Sequence, residues 1–390
     1  MNEPVALINP LLASTDAPPI PEARAWTRRY TGAHGKLVDL SQAAPGGAPP
    51  PELLARLATA AGMAETARYG DIAGDHALRE TFARHVATQY GGRIATEDVA
   101  ITSGCNQAFF VAMLTVAKAG DAVLVPTPWY FNHQTTLEIL GVEPRALPCA
   151  ASAGFIPDPD DAERLIDERV RAIVLVTPNN PTGAVYPPAM IARFAELCRR
   201  RGIWLILDET YADFLPQADM RAHQLFSDEA WRETVIRLYS FSKAYAIPGH
   251  RVGAMIADAA VTSQIAKVLD NLQICAPRAA QAALVWAIDA LADWREAARR
   301  EIVERGAAFR RMLESVSGWR IDSSGAYFAF VRHPFPGTPA LKIAERLAAE
   351  RGVLCLPGSY FGPGQDGHLR IAIANVDCAT IATLGARFAL

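Results

Sequence analysis

Between residues 95 and 260 the chain alternates two hydrophobic patterns. Short β-branched, apolar runs at 99–102, 122–125, 172–177, 203–207, 235–239 and 252–257 predict strands. The stretches 107–118, 130–140 and 188–201 repeat apolar residues at three- and four-residue spacing and predict helices. Strand, crossover helix, strand is the signature of a mostly parallel sheet covered on both faces. The run 203–207 is apolar throughout, as a strand buried on both sides should be.

After Pro277 the pattern changes. A long helical stretch at 279–315 precedes shorter strands at 327–331, 353–356 and 369–374, with helices at 339–351 and 378–389. The first 50 residues are Pro-rich and end in Pro45-Gly46-Gly47-Ala48-Pro49-Pro50-Pro51, an extended connection. The expected layout is an N-terminal arm with part of a small domain (1–48), a large domain (49–280) and a small C-terminal α+β domain (281–390).

Composition narrows the class. Of 390 residues, 51% are apolar and 20% charged, with a net charge of −3, so no charge imbalance argues for nucleic acid or an anionic membrane. No uninterrupted apolar stretch reaches about 18 residues, so no span is expected. The first residues lack a basic segment followed by an apolar one, which argues against secretion. The cysteines, Cys105, Cys149, Cys198, Cys275, Cys355 and Cys378, are scattered without C-x-x-C spacing, and His residues are not clustered with them. Reduced thiols in a cytoplasmic protein, with no metal site, are expected.

Lysine is rare: only Lys36, Lys118, Lys243, Lys267 and Lys342 stand among 38 basic residues. Lys243 follows an apolar strand in Ser240-Phe241-Ser242-Lys243, where an α/β protein would place a nucleophilic amine. Arginine does not deprotonate and could not replace it. A lone lysine at a turn is also an ordinary surface residue, so its neighbours matter. Ser240 and Arg251 together could hold a phosphate. Gly104, Cys105 and Asn106 open a helix after a strand and offer backbone N–H groups to an anion. Asp208 ends the buried run 203–207 and needs a cationic partner or several donors, a protonated ring nitrogen among them; a helix cap is the plainer reading. Asn179-Asn180-Pro181-Thr182-Gly183 ends another strand and reads equally as a β-turn.

Taken together, the segments resemble the class I/II pyridoxal-phosphate aminotransferases of fold-type I. Tyr69 with Gly74 and Leu78-Arg79, Ser103-Gly104-Cys105-Asn106, Pro128-Trp129-Tyr130, Asn180-Pro181-Thr182-Gly183, Asp208-Glu209-Thr210-Tyr211, Ser240-Phe241-Ser242-Lys243, Arg251-Val252-Gly253 and Leu369-Arg370-Ile371 occur in the family's order. The resemblance implies a seven-stranded, mostly parallel sheet flanked by helices, a smaller α+β domain and a homodimer. It implies pyridoxal 5'-phosphate as cofactor, held by Lys243 as an internal aldimine, with Lys243 the base of a ping-pong amino transfer. Asp208 would pair with the pyridinium nitrogen, Asn180 and Tyr211 with the phenolic oxygen. The phosphate would rest on Ser240, Arg251 and the Gly104–Asn106 amides, with Tyr69 reaching in from the partner subunit. Arg370 would bind the substrate α-carboxylate. Tyr130 would stack on the ring, with Trp129 as the alternative. Ala43 stands where many relatives have glycine, and Asn106 where an aspartate-specific branch has lysine. Neutral or aromatic L-amino acids are therefore the expected donors and a 2-oxo acid the acceptor. His133 reads either as a pocket residue or as solvent-facing. A C–S lyase or decarboxylase would share these motifs. A sensor module fused to a DNA-binding head would need a basic segment that the Pro-rich start does not supply.

Overall fold

The computed structural model describes residues 8–218 and 220–390. Its centre is a seven-stranded sheet in the order Val99–Thr102, Gly253–Ile256, Val235–Ser240, Trp204–Asp208, Val170–Val176, Ala122–Thr127, Glu143–Pro148. Gly253–Ile256 runs against its two neighbours, and the other six strands share one direction. The matching expectations for fold class and sheet hold.

Side chains on these strands alternate between two cores, as the two-residue period of a strand requires. Ile173, Leu175, Leu205 and Leu207 enter one core with Phe82, Phe194 and Leu284 from helices His76–Tyr90, Pro188–Arg201 and Arg278–Ala290. Ala172, Val174, Val176 and Ile206 enter the other, against Phe109, Leu137 and Leu269 from helices Cys105–Val116, Phe131–Ile139 and Ala259–Gln273. Burial on both faces explains the unbroken apolar runs.

Two strands differ from the sequence pattern for physical reasons. Glu143–Pro148 is an edge strand, half-exposed, with charges and two prolines, which is how edges avoid further pairing. Arg320–Gly325 is the polar edge of the small sheet. The helical stretch expected at 279–315 is two helices, Arg278–Ala290 and Ala292–Glu314, broken at buried Leu291. The first of them packs into the core of the large sheet.

The small sheet is antiparallel, in the order Leu356–Pro357, His368–Ala372, Phe328–Arg332, Arg320–Gly325. Beside it Val38–Asp39 pairs in parallel with Val353–Leu354. Leu40 continues this strap, its N–H donating to Leu354 O at 2.7 Å while its carbonyl accepts from Ala372 N at 2.8 Å. The strap thereby carries Ser41, Gln42 and Ala43 to the mouth of the large sheet.

Candidate active site

Six strands sharing a direction end on one edge of the large sheet. The register there aligns Thr102 with Gly253 and Gly253 with Ser240. Asp208 pairs with Val176 on one side and Leu238 on the other. Outside these ends lies a cavity of about 350 Å³, the place where open α/β sheets bind ligands. Cys105, Asn106, Tyr130, Asn180, Asp208, Tyr211, Ser240, Lys243, Arg251 and Arg370 all line it.

At one end of the cavity the helix Cys105–Val116 begins at Gly104, with no side chain capping it. Gly104 has φ +85°, and a Cβ there would stand 2.1 Å from Arg251 Nη2. Glycine alone lets the guanidinium lie over this helix start. Arg251 Nη1 donates to Pro248 O at 2.9 Å and to Ser242 Oγ at 3.5 Å. Ser240 Oγ accepts from Ser242 N at 3.2 Å. Uncapped helix N–H groups, hydroxyls and an arginine fork form a donor set for a phosphate.

Alternation puts Asp208 on the same face as Ile206, toward helix Phe131–Ile139. Its Oδ2 lies 3.2 Å from His133 Nε2, and its Oδ1 accepts from Thr210 N at 3.0 Å and from the Cys105 thiol at 3.7 Å. Burial alone would raise this carboxyl. The His133 hydrogen bond and charge, followed by Thr210, outweigh burial and hold it below its ordinary value. His133 is itself buried, its ring stacked on Phe109 at 3.9 Å. It is therefore neither solvent-facing nor part of the cavity lining, but stands behind Asp208. Burial pushes the Cys105 thiol well up, so it stays protonated.

Lys243 Nζ donates to Ala43 O on the strap. Burial, then the positive charges of Arg251 and Arg370, lowers its pKa to about 8. Near neutral pH a real fraction is therefore free amine, the form that attacks a carbonyl.

Arg370 is 2% exposed and sits between two rings, 5.4 Å from the centroid of Phe328 and 5.0 Å from that of Phe361. It donates to Asn180 Oδ1 at 3.2 Å and to Ser41 O, while its Nε has no partner among the described residues. Burial pulls its pKa down to about 10. A buried cation without a carboxylate partner is costly, and an anionic ligand offsets that cost. Tyr211, 4% exposed, packs its ring on Phe328 at 5.1 Å, and burial raises its phenol well above the ordinary value.

Of the two aromatics left open by the sequence, Tyr130 lines the cavity and accepts from Asn132 Nδ2 at 2.8 Å. Trp129 turns to Gln134 and Gly362. Tyr69 is 78% exposed, away from this chain's own cavity lining. The sequence did not single out the Ser41 and Ala43 carbonyls, Thr210, the rings flanking Arg370, or the contact of the Cys105 side chain with Asp208. The position of Thr210 two residues after Asp208 was the one available signal.

These residues fit pyridoxal phosphate: a phosphate cup, a carboxylate for a ring N–H, a lowered lysine amine for the aldehyde and an orphaned guanidinium for a carboxylate. Among the described residues there is no cluster able to hold a metal ion and no helix long and apolar enough to cross a membrane.

Residues 35–388 match the family model for aminotransferase class I and II. The chain is 29% identical over 316 residues to an arginine–pyruvate transaminase of Pseudomonas aeruginosa, covering 80% of this chain and 79% of that one. It is 30% identical over 318 residues to a probable aspartate/prephenate aminotransferase of Thermus aquaticus, covering 79% of each. The aspartate aminotransferase of Thermus thermophilus with maleate shares the fold, with TM-score 0.90, 24% identity and 99% of both chains covered. With the fold and the match spanning nearly its whole length, the chain belongs to the aminotransferase class I and II family.

Proposed function

We propose that this aminotransferase uses pyridoxal 5'-phosphate to move the amino group of a neutral or aromatic L-amino acid to a 2-oxo acid. The carrying observation is one cavity lined by an amine of pKa about 8 on Lys243, the Asp208 carboxylate and the carboxylate-free Arg370. When bound, the cofactor supplies an electron sink that makes the substrate's Cα–H acidic. Ser240, Arg251 and the N–H groups after Gly104 would hold the phosphate. Asp208, kept ionised by His133 and Thr210, would accept the ring N–H and keep the ring cationic. Asn180 and Tyr211 would donate to the phenolic oxygen, and Tyr130 would cover the ring.

Arg370 fixes the substrate α-carboxylate with a fork of donors, a geometry lysine lacks. Lys243 Nζ would then take the proton from Cα of the donor and, once the acceptor is bound, deliver a proton to its Cα, acting as general base and then general acid. Donor and acceptor use the same Arg370, so they bind in turn and the kinetics are ping-pong. A homodimer supplies Tyr69 to the neighbouring phosphate cup.

The side-chain preference rests on the rest of the lining. Pro18, Pro19, Ile20 and Phe131 contribute apolar surface, and the described lining has no cation besides Lys243, Arg251 and Arg370. A distal carboxylate desolvated there without a partner would cost several kcal/mol. Measuring kcat/KM for aspartate, alanine, leucine, methionine and phenylalanine against pyruvate and 2-oxoglutarate tests this. Transamination with phenylalanine or leucine ahead is expected. Aspartate ahead by an order of magnitude defeats the side-chain assignment, and no amino transfer from any donor defeats the function.

A further inference from the structure

Four of the groups assigned to the cofactor, Asp208, Tyr211, Ser240 and Lys243, lie in two segments, Asp208 to Tyr211 and Ser240 to Lys243, and one carboxylate behind the cavity ties these together. Asp213, two residues past Tyr211, accepts through Oδ2 from Tyr239 Oη at 2.7 Å. Tyr239 immediately precedes Ser240. Through Oδ1 the same carboxylate accepts from Arg295 Nη1 at 2.9 Å. The Arg295 guanidinium also lies 5.4 Å from the ring centroid of Tyr245, two residues past Lys243. Tyr239 and Tyr245 are both buried and both pack on Phe241, with centroids at 5.1 and 5.7 Å.

Arg295 belongs to helix Ala292–Glu314, which leads to the small sheet. One turn further on, Arg299 Nη1 donates to Leu215 O at 3.2 Å and to Pro216 O at 2.7 Å. Asp213 and Arg295 are each 12% exposed. None of these groups lines the cavity.

We propose that Asp213 is a positioning residue for amino transfer. Held by Arg295, it fixes the Asp208–Tyr211 segment relative to the Ser240–Lys243 segment, and so sets where the cofactor's ring lies relative to its phosphate. The proposal rests on the cofactor assignment made above. Its physical basis is that two loops anchored to one buried acceptor lose their independent freedom, so ligand binding need not order them.

Asp213→Asn keeps the shape but cannot accept from both Arg295 and Tyr239 in the present geometry. Tyr239→Phe removes one hydroxyl and serves if the first variant does not fold. Asp322→Asn is the control, because Asp322 is also a covered carboxylate held by an arginine, Arg332, and by the buried His368, and has no hydrogen bond or ion pair to either segment. The readouts are the dissociation constant for pyridoxal phosphate, the visible circular dichroism of the bound cofactor, and kcat and KM taken separately. Asp213→Asn or Tyr239→Phe should weaken cofactor binding roughly tenfold, the size of a broken buried network. The same variants should alter the visible dichroism and lower kcat more than they raise KM. Asp322→Asn should lower the melting temperature and leave all three unchanged. Asp213 variants that only lower the melting temperature, as the control does, overturn the proposal alone. A wild-type protein that takes up no pyridoxal phosphate overturns the cofactor assignment and the proposal with it.

Discussion

Arg370 and Asn180 meet across the cleft, with Arg370 Nη1 donating to Asn180 Oδ1 at 3.2 Å. Arg370 stands on the small sheet, and Asn180 follows a strand of the large one. A substrate carboxylate held by Arg370 would thereby be presented to groups on the other sheet. Arg370→Lys replaces a fork by a point charge, and a lost charge-assisted hydrogen bond is worth about 1.5–3 kcal/mol. KM should rise roughly 10- to 100-fold for all donors together. A rise confined to one donor would mean that Arg370 reads the side chain instead.

Asp208→Asn should leave the fold and cofactor uptake nearly intact. Without the carboxylate a bound ring would not be kept cationic and the electron sink would weaken, so kcat should fall by roughly 10²–10⁴. Near-normal transamination in this variant would refute the role assigned to Asp208.

The same carboxylate has a pH signature. The stability contributed by Asp208 is complete above 3.8, the value of an unperturbed aspartate, and is lost as pH falls through the lower value it has in the fold. His133→Phe keeps a ring on Phe109 and removes the donor. In that variant the Asp208 carboxyl should rise, and the acid limb of activity should move to higher pH. Rate profiles from pH 4 to 8 check this, and an unmoved acid limb would count against His133.

Lys243 should react with added pyridoxal along a curve that rises with pH and has its midpoint near 8, where the amine loses its proton, instead of near 10.5. Borohydride should then fix the label on the peptide containing Lys243. Label on Lys36, Lys118, Lys267 or Lys342 would redirect the chemistry elsewhere.

Tyr69 is solvent-exposed on the single chain. Mixing Tyr69→Ala with Lys243→Ala subunits should restore part of the activity, because one site in the mixed dimer has both residues. Proven subunit exchange without recovery would show that the sites are not shared.

The sequence was most readable where burial leaves no choice. Runs such as 203–207 are apolar because both faces of the strand are covered, and Lys243 stood out because lysine is so rare in this chain. The edge strand Glu143–Pro148 was invisible because exposed edges carry the charges and prolines typical of loops. His133 was ambiguous for a different reason. Whether a helical residue faces water depends on where its helix docks, and helix Phe131–Ile139 turns that ring onto Phe109 and Asp208. The Ser41 and Ala43 carbonyls left no trace, since any residue offers a carbonyl and only the path of the strap brings these two to Arg370 and Lys243.

The reversed strand Gly253–Ile256 also fixes an order of events during synthesis. Val99–Thr102 pairs in its sheet with that strand, so for some 150 residues of further translation it has no permanent neighbour. Until residue 256 is available Val99–Thr102 lacks its partner, and unpaired strand edges invite pairing between chains. Insertion of the last strand closes that gap and in the same movement brings Arg251 over the helix that starts at Gly104. The strand that joins Val99–Thr102 to the sheet is thus also the one that carries Arg251 to Gly104, and a chain cut short before it would have neither contact.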